Sequence, residues 1–303
     1  MTLHRTSLLI AATLATLTAA PPLLANTLEK IKTSGSITLG IRESSLPLSY
    51  LDDKQQPVGY HIDLCNRVVD AIRAQLKLPG LKVAITPVTS QNRIPLVTNG
   101  TVDLECGSTT NNEARQKQVA FAPTTYVTNV RMAVKKASGI QSLADLKGKP
   151  VASTTGTTSI QLMRAHKKGQ SVDFREVYGK DHADSFLMLE TDRAVAFIMD
   201  DNLLLGLIAS SKAPASYAVV GETLSVEPIA IMFRRDDPAF KKVVDGAVKA
   251  MMQNGELYAL YKKWFESPIP PKGVNLAFPM TQATRNALNL PGDAPAEAYN
   301  TKK

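Results

Sequence analysis

The chain has 303 residues, enough for two ordinary domains or one large one. Apolar residues make up 44% and charged residues 20%, which excludes a largely disordered chain. A formal net charge of +8 leaves nucleic acid, a membrane surface and acidic ligands open as partners.

Residues 1–25 read as a secretory signal peptide: a polar start with His4 and Arg5, an apolar run from Ser7 to Ala20, and Ala25 before the cut. Leu23 is larger than the small residue usual two places before a cut, so the position is set only to within a few residues. No cysteine stands there for a lipid anchor, and no other segment has the length of a membrane span. The mature protein is expected to be soluble, exported and periplasmic. Export argues against nucleic acid, and so does the lack of a long Lys/Arg block. The two cysteines, Cys65 and Cys106, would lie in an oxidising compartment; whether they pair depends on a Cα approach that sequence does not reveal.

From Ser36 short apolar runs alternate with helical stretches. "SITLGIR" (36–42) reads as a strand, and "YHIDLCNRVVDAIRAQL" (60–76) carries Ile62, Cys65, Val68, Val69 and Ile72 at helical spacing. "LKVAITPV" (81–88) is a strand, 92–100 a short helix ended by Asn99-Gly100, and "VDLECGS" (102–108) a strand. A second series begins with "YVTNVRMAVKK" (126–136). It runs through strands "VASTTG", "DFREVYG" and "AVAFIMD", each followed by a helix. The chain then returns through a strand-like 227–235 and two helices broken at Asn254-Gly255. The expected fold class is α/β, with lobe 1 from 26–125 and 226–303, lobe 2 from 126–225, and two crossover strands that allow hinge motion. The four prolines in "PIPPKGVNLAFPM" argue an extended surface tail after Phe265.

Ligands of open α/β sheets bind where strands end. The residues just past those ends are Arg42; Ser90 and Arg93; Ser108 and Thr110, with Arg115 downstream; Thr158 in a helix opened by Gly156; His182; and Asp200. Singly, each has an ordinary reading: a solvated arginine, a polar helix start, or a helix cap at Asp181 and Asp200. Together, three arginines and a histidine form an anion site, each charged hydrogen bond contributing roughly 1.5–3 kcal/mol. Asp200 among them suits a ligand ammonium. Two carboxylates and an ammonium describe an acidic amino acid. Three arginines against one aspartate give the empty cleft a formal +2.

"RESSLPLSY", "TSQNRIPLVTNGTVDLECGSTTNNEARQKQVAFA", "KDHADSF", "RAVAFIMDD" and "SPIPPKGVNL" resemble the periplasmic glutamate/aspartate-binding proteins of ATP-binding-cassette importers. The likeness spans nearly all of the mature chain and implies a two-lobed, type II periplasmic binding protein fold. It further implies a membrane permease as partner, a monomer, no cofactor and no nucleic acid. By motif, Arg115 and Thr110 would hold the ligand α-carboxylate, and Asp200 and Ser108 the α-ammonium. Arg42, Ser90, Arg93 and His182 would surround the side-chain carboxylate, with Thr158 bridging from lobe 2. The resemblance departs at "PIAIMFRR", where close relatives can carry a cysteine and this chain has Ile231.

The rival reading is an enzyme of the same fold, dehydratase or cell-wall lyase, with Cys106 and His182 as nucleophile and base. Cys106 sits in an apolar strand, where a structural thiol is commoner. There is no His-Glu-x-x-His metal set and no Gly-rich phosphate loop. Binding without chemistry is the expectation.

Overall fold

The computed structural model describes residues 26–169 and 172–300; the expected signal peptide lies outside them. Two five-stranded sheets organise the chain. The first runs Lys82–Pro87, Ser36–Ile41, Leu104–Glu105, Met232–Arg234, Val119–Phe121. Its first three strands are parallel, while Met232–Arg234 is antiparallel to both neighbours. The second runs Arg175–Gly179, Pro150–Thr154, Ala196–Asp200, Tyr126–Lys135, Tyr217–Ile229. Again three strands are parallel, and Tyr126–Lys135 is antiparallel to both neighbours.

The chain leaves the first sheet after Phe121 and re-enters it at Met232. The two passages lie side by side, with Ala122 N–H donating to Ile231 O (3.1 Å) and Thr125 N–H to Ile229 O (3.0 Å). Paired strands of this kind transmit a rotation while keeping their ladder, which is what a hinge needs. Tyr126 opens the outgoing strand and is anchored by stacking on Phe265, ring centroids 5.0 Å apart.

Helix Tyr60–Leu76 forms as its periodicity predicts: Leu64, Cys65, Val68, Val69 and Ile72 are all buried. It ends at Lys77 in the left-handed region. Each such aliphatic side chain contributes about 1.5–3 kcal/mol on burial, so the stripe fixes the helix against the first lobe.

Three expectations need correction. The strand expected over 102–108 is a strand only at Leu104–Glu105, flanked by hydrogen bonds from Asp103 N–H to Thr38 O and from Cys106 N–H to Gly40 O. The return is one 13-residue strand, Tyr217–Ile229, whose register shifts between Val220 and Ser225, followed by the separate Met232–Arg234. The tail is not simply extended. It holds helix Gln282–Asn289, capped by the Thr281 hydroxyl, which accepts from Thr284 N–H at 3.1 Å. From there it straps both crossovers: Thr284 Oγ1 accepts from Val127 N–H and donates to Val127 O, Gly292 O accepts from Thr124 N–H, and Asn300 brackets Val226.

Candidate functional site

All nine residues singled out by sequence come to the space between the lobes. Ser90, Arg93, Ser108, Thr110, Thr158, His182 and Asp200 line one cavity. Arg42 joins it through Ser108, its Nη1 donating to Oγ at 3.5 Å, and Arg115 borders it by donating from Nη1 to Thr110 O at 2.9 Å. The local reason is topological. Arg42 follows strand Ser36–Ile41, Ser90 and Arg93 follow Lys82–Pro87, and Asp200 ends Ala196–Asp200, so the carboxyl ends of parallel strands deliver them.

In and beside the cavity lies a set of unpaired polar atoms. Arg42 Nε, Arg93 Nε and Nη1, Ser90 Oγ and His182 Nε2 are buried with no hydrogen-bond partner among the described residues. Leaving buried polar groups unpaired costs about 1–3 kcal/mol each, so a protein keeps such a group of them only where something arrives to fill it. Arg93 is 2% exposed; burial and the neighbouring Arg115 push its guanidinium down to about 9. His182 is pushed down to about 3 by burial and by Arg42, so it is neutral at physiological pH. Its Nδ1 lies 3.0 Å from Thr154 Oγ1, which leaves Nε2 facing the cavity.

Two carboxyl groups complete the surroundings, Asp200 in the cavity lining and Glu227 beside Thr110 and Thr158. Asp200 is held well above the usual carboxylate range by burial, by Glu227 and by Asp201. Glu227, on the returning crossover strand, is also raised by burial. A single oxygen of it, Oε2, accepts from Thr110 Oγ1 (2.6 Å) of the first lobe and Thr158 Oγ1 (2.8 Å) of the second.

The lobes are shut on one another, and the cavity amounts to ≈ 10 Å³, about the room of one water. Arg42 is bonded to Asp181 across the gap, and Ser44 Oγ donates to the other Asp181 oxygen at 2.8 Å. Burial is the largest influence on Asp181 and would raise it, but Arg42, His182 and the Ser44 hydroxyl together outweigh it and keep the carboxyl below its usual range. Arg115 Nη2 reaches Gly156 O at 3.4 Å. Gly156 lies so close to the first lobe that a Cβ there would sit 2.6 Å from Gln91 Cα. Only glycine permits that approach.

Sequence reading missed three carboxylates. Asp181 and Asp200 occupy helix N-cap positions, yet neither side chain makes a cap hydrogen bond; Asp181 turns to Arg42 instead. Glu105 is fully buried, with Oε1 4.0 Å from Arg93 Nη1 and Oε2 accepting from Thr109 Oγ1 at 2.7 Å. The third is Glu227. The formal +2 is therefore corrected: Arg42, Arg93 and Arg115 face four carboxyl groups, of Glu105, Asp181, Asp200 and Glu227. Helix-start chemistry could have flagged Asp181, since cap and cleft positions coincide there; nothing local marks Glu105 or Glu227.

Residues 37–267 match the family of bacterial extracellular solute-binding proteins, family 3. The chain belongs to that family. Among its relatives, the L-glutamate/L-aspartate-binding protein of Pseudomonas aeruginosa is 48% identical over 96% of this chain and 98% of its own. The glutamate/aspartate import solute-binding protein of Escherichia coli K12 is 45% identical over 95% of each chain. Among solved structures, an ancestral amino acid-binding protein, AncCDT-1, described as a precursor of cyclohexadienyl dehydratase, superposes with a TM-score of 0.68. It has 28% identity and covers 80% of this chain and all of that one. The two-lobed type II fold implied by the sequence is thus the fold of this family 3 protein, and it is a solute-binding protein, not an enzyme. The enzyme alternative also loses its nucleophile. Cys106 Sγ is bonded to Cys65 Sγ, with the Cα atoms 6.2 Å apart. The bridge ties the helix Tyr60–Leu76 to the loop that carries Ser108 and Thr110.

Proposed function

We propose that this family 3 protein captures glutamate or aspartate between its lobes, in the periplasm after removal of a signal peptide, and delivers it as a monomer to the permease of an ATP-binding-cassette importer. The observation that carries the ligand assignment is the set of unpaired polar atoms on Arg42, Ser90, Arg93 and His182, the arginine N–H groups above all. Ser90, Arg93 and His182 line the cavity and Arg42 adjoins it through Ser108, and a side-chain carboxylate is the acceptor that would answer the arginines. Arg115, which borders the same cavity beside Thr110, takes the α-carboxylate. Asp200 and Ser108 take the α-ammonium. Thr110 and Thr158 stand between, one on each lobe. The names of the two relatives above support the same ligand pair.

A neutral amide in place of the side-chain carboxylate would present an NH₂ group to donors. The expected discrimination is about a hundredfold or more, because a site built of donors is left with unpaired groups. Protein unfolded and refolded to strip bound ligand is screened by thermal shift against the common amino acids. Glutamate and aspartate raise the melting temperature, while glutamine, asparagine and apolar amino acids leave it nearly unchanged. A comparable shift with glutamine would rule out the anionic pocket.

A further inference from the structure

A second cavity, of ≈ 360 Å³, shares Thr158 with the inner one and none of its other lining residues. Helix Thr158–Gly169 of the second lobe lines it with Leu162 and Ala165, and the strand Tyr217–Ile229 with Leu224 and Glu227. The tail helix Ala296–Tyr299 adds Ala296 and Glu297. That helix is fixed to the first lobe: Ala296 N–H donates to Asn111 O at 2.9 Å, and Glu297 Oε2 accepts from Glu113 N–H at 3.1 Å. Both lobes thus wall a space whose size and half-apolar lining suit a small molecule, for which about 300–1,000 Å³ is usual.

Among the described residues, the charged groups that line it are Glu227 and Glu297, both acids. Glu227 is 2% exposed, and its Oε2 takes both threonine hydroxyls, at 2.6 and 2.8 Å. Its Oε1 receives no hydrogen bond from the described residues. Burial holds the carboxyl above its usual range, against the pull of those hydroxyls and of Arg115 and Arg93. A buried carboxylate oxygen left unmet is costly, and a cation bearing N–H groups is what would meet it. Leu162, Leu224 and Ala296 narrow the choice. A metal ion wants about six oxygen ligands and gains nothing from them, whereas an ammonium on a short hydrocarbon uses both kinds of wall.

We propose that this second cavity binds a small aliphatic amine, its ammonium on Glu227 and its stem along Leu162 and Leu224. The amine is a molecule separate from the solute of the inner cavity, and the proposal does not rest on what that solute is. Coupling between the two sites follows from the bonds of Glu227. Its carboxylate grips Thr110 of the first lobe and Thr158 of the second, and a cation that keeps it ionised strengthens both hydrogen bonds. Opening would break that joint grip, so the amine favours the closed form. A solute that also favours closure binds the amine-loaded protein more tightly, and the amine gains by the same factor.

Calorimetry with putrescine, a diamine on a butane chain, and with 1,4-butanediol, its neutral counterpart, tests this on the refolded wild type and on Ala165→Lys. Ala165 is exposed on its helix and lines the cavity, so a lysine there brings its own ammonium to the site while the helix keeps a good former. An unchanged melting curve shows that the variant is folded. The wild type is expected to bind putrescine saturably and butanediol not at all. Ala165→Lys should weaken putrescine by about tenfold or more. Saturating glutamate should tighten putrescine in the wild type by about fivefold or more. Absence of saturable putrescine binding, equal binding of butanediol, or putrescine affinity untouched by Ala165→Lys would overturn the site. Putrescine affinity unmoved by glutamate, in a protein that binds glutamate, would overturn the coupling. A wild type that binds putrescine but not glutamate would remove the reading of the inner cavity and leave this site standing.

Discussion

Gly206 offers a way to separate closure of the lobes from the ligand contacts themselves. It lies buried in helix Asp201–Ser210 of the second lobe, and its φ is not among the positive values. A Cβ built there would stand 2.4 Å from Leu46 O and 2.7 Å from Leu46 Cδ2, both in the first lobe. An ordinary C···O contact is about 3.3 Å or more, so the lobes must part by about 1 Å at this point. Forcing one extra carbon into a packed contact costs about 1–3 kcal/mol, a loss of about 5- to 150-fold in an affinity that depends on closing. In an open form the same methyl meets no such backbone, and alanine is better than glycine inside a helix by about 1 kcal/mol. Gly206→Ala should therefore keep or raise the stability of the ligand-free protein while weakening glutamate binding. Small-angle scattering should show less contraction on adding glutamate than in the wild type. Calorimetry and denaturation of the same preparation supply the other two quantities. If affinity and contraction both match the wild type, the contact at Leu46 is not part of a closing interface and the hinge reasoning fails.

Two further outcomes follow from the charges and the covalent bridge. Burial, Glu227 and Asp201 hold Asp200 toward its protonated form, and an arriving ammonium draws it back toward the carboxylate, so binding should release protons and weaken as pH falls through the raised Asp200 range. Calorimetry in buffers of different ionisation enthalpy reads this release, and it should vanish in Asp200→Asn along with most of the affinity; no release in the wild type would contradict the assignment. The Cys65–Cys106 bridge closes a loop of 41 residues, and its removal by paired serine substitutions should lower stability by about 4 kcal/mol with glutamate affinity kept within a few-fold. Loss of a chemical turnover in that variant would revive the enzyme reading.

The parts of this molecule legible in its sequence are those governed by local periodicity and by strand ends. Helix 60–76 declared itself through spacing, and Arg42, Arg93, His182 and Asp200 through their place after apolar runs. The residues that escaped depend on distant partners. Asp181 meets Arg42 from 139 positions away, and Glu227 meets Thr110 from 117; neither pairing leaves a local trace. Asp181 was also masked by a competing use, since an aspartate before a helix reads as its cap. In the tail, prolines outweighed the Thr281 cap signal, and "QATRNALN" has too few apolar residues to announce a helix. Its role lies in straps to Thr124, Val127 and Val226, which are tertiary contacts and invisible to periodicity.

The most direct test of the account is calorimetric titration of the refolded protein with glutamate and with glutamine, in the wild type and in Arg93→Met. Glutamate and glutamine share the α-amino and α-carboxyl groups and differ only in the group that would meet the unpaired polar atoms of Arg42, Ser90, Arg93 and His182. The account predicts that the wild type favours glutamate by about a hundredfold or more and that Arg93→Met closes most of that gap. Glutamine binding within a few-fold of glutamate in the wild type, or a gap untouched by loss of the Arg93 guanidinium, would contradict it.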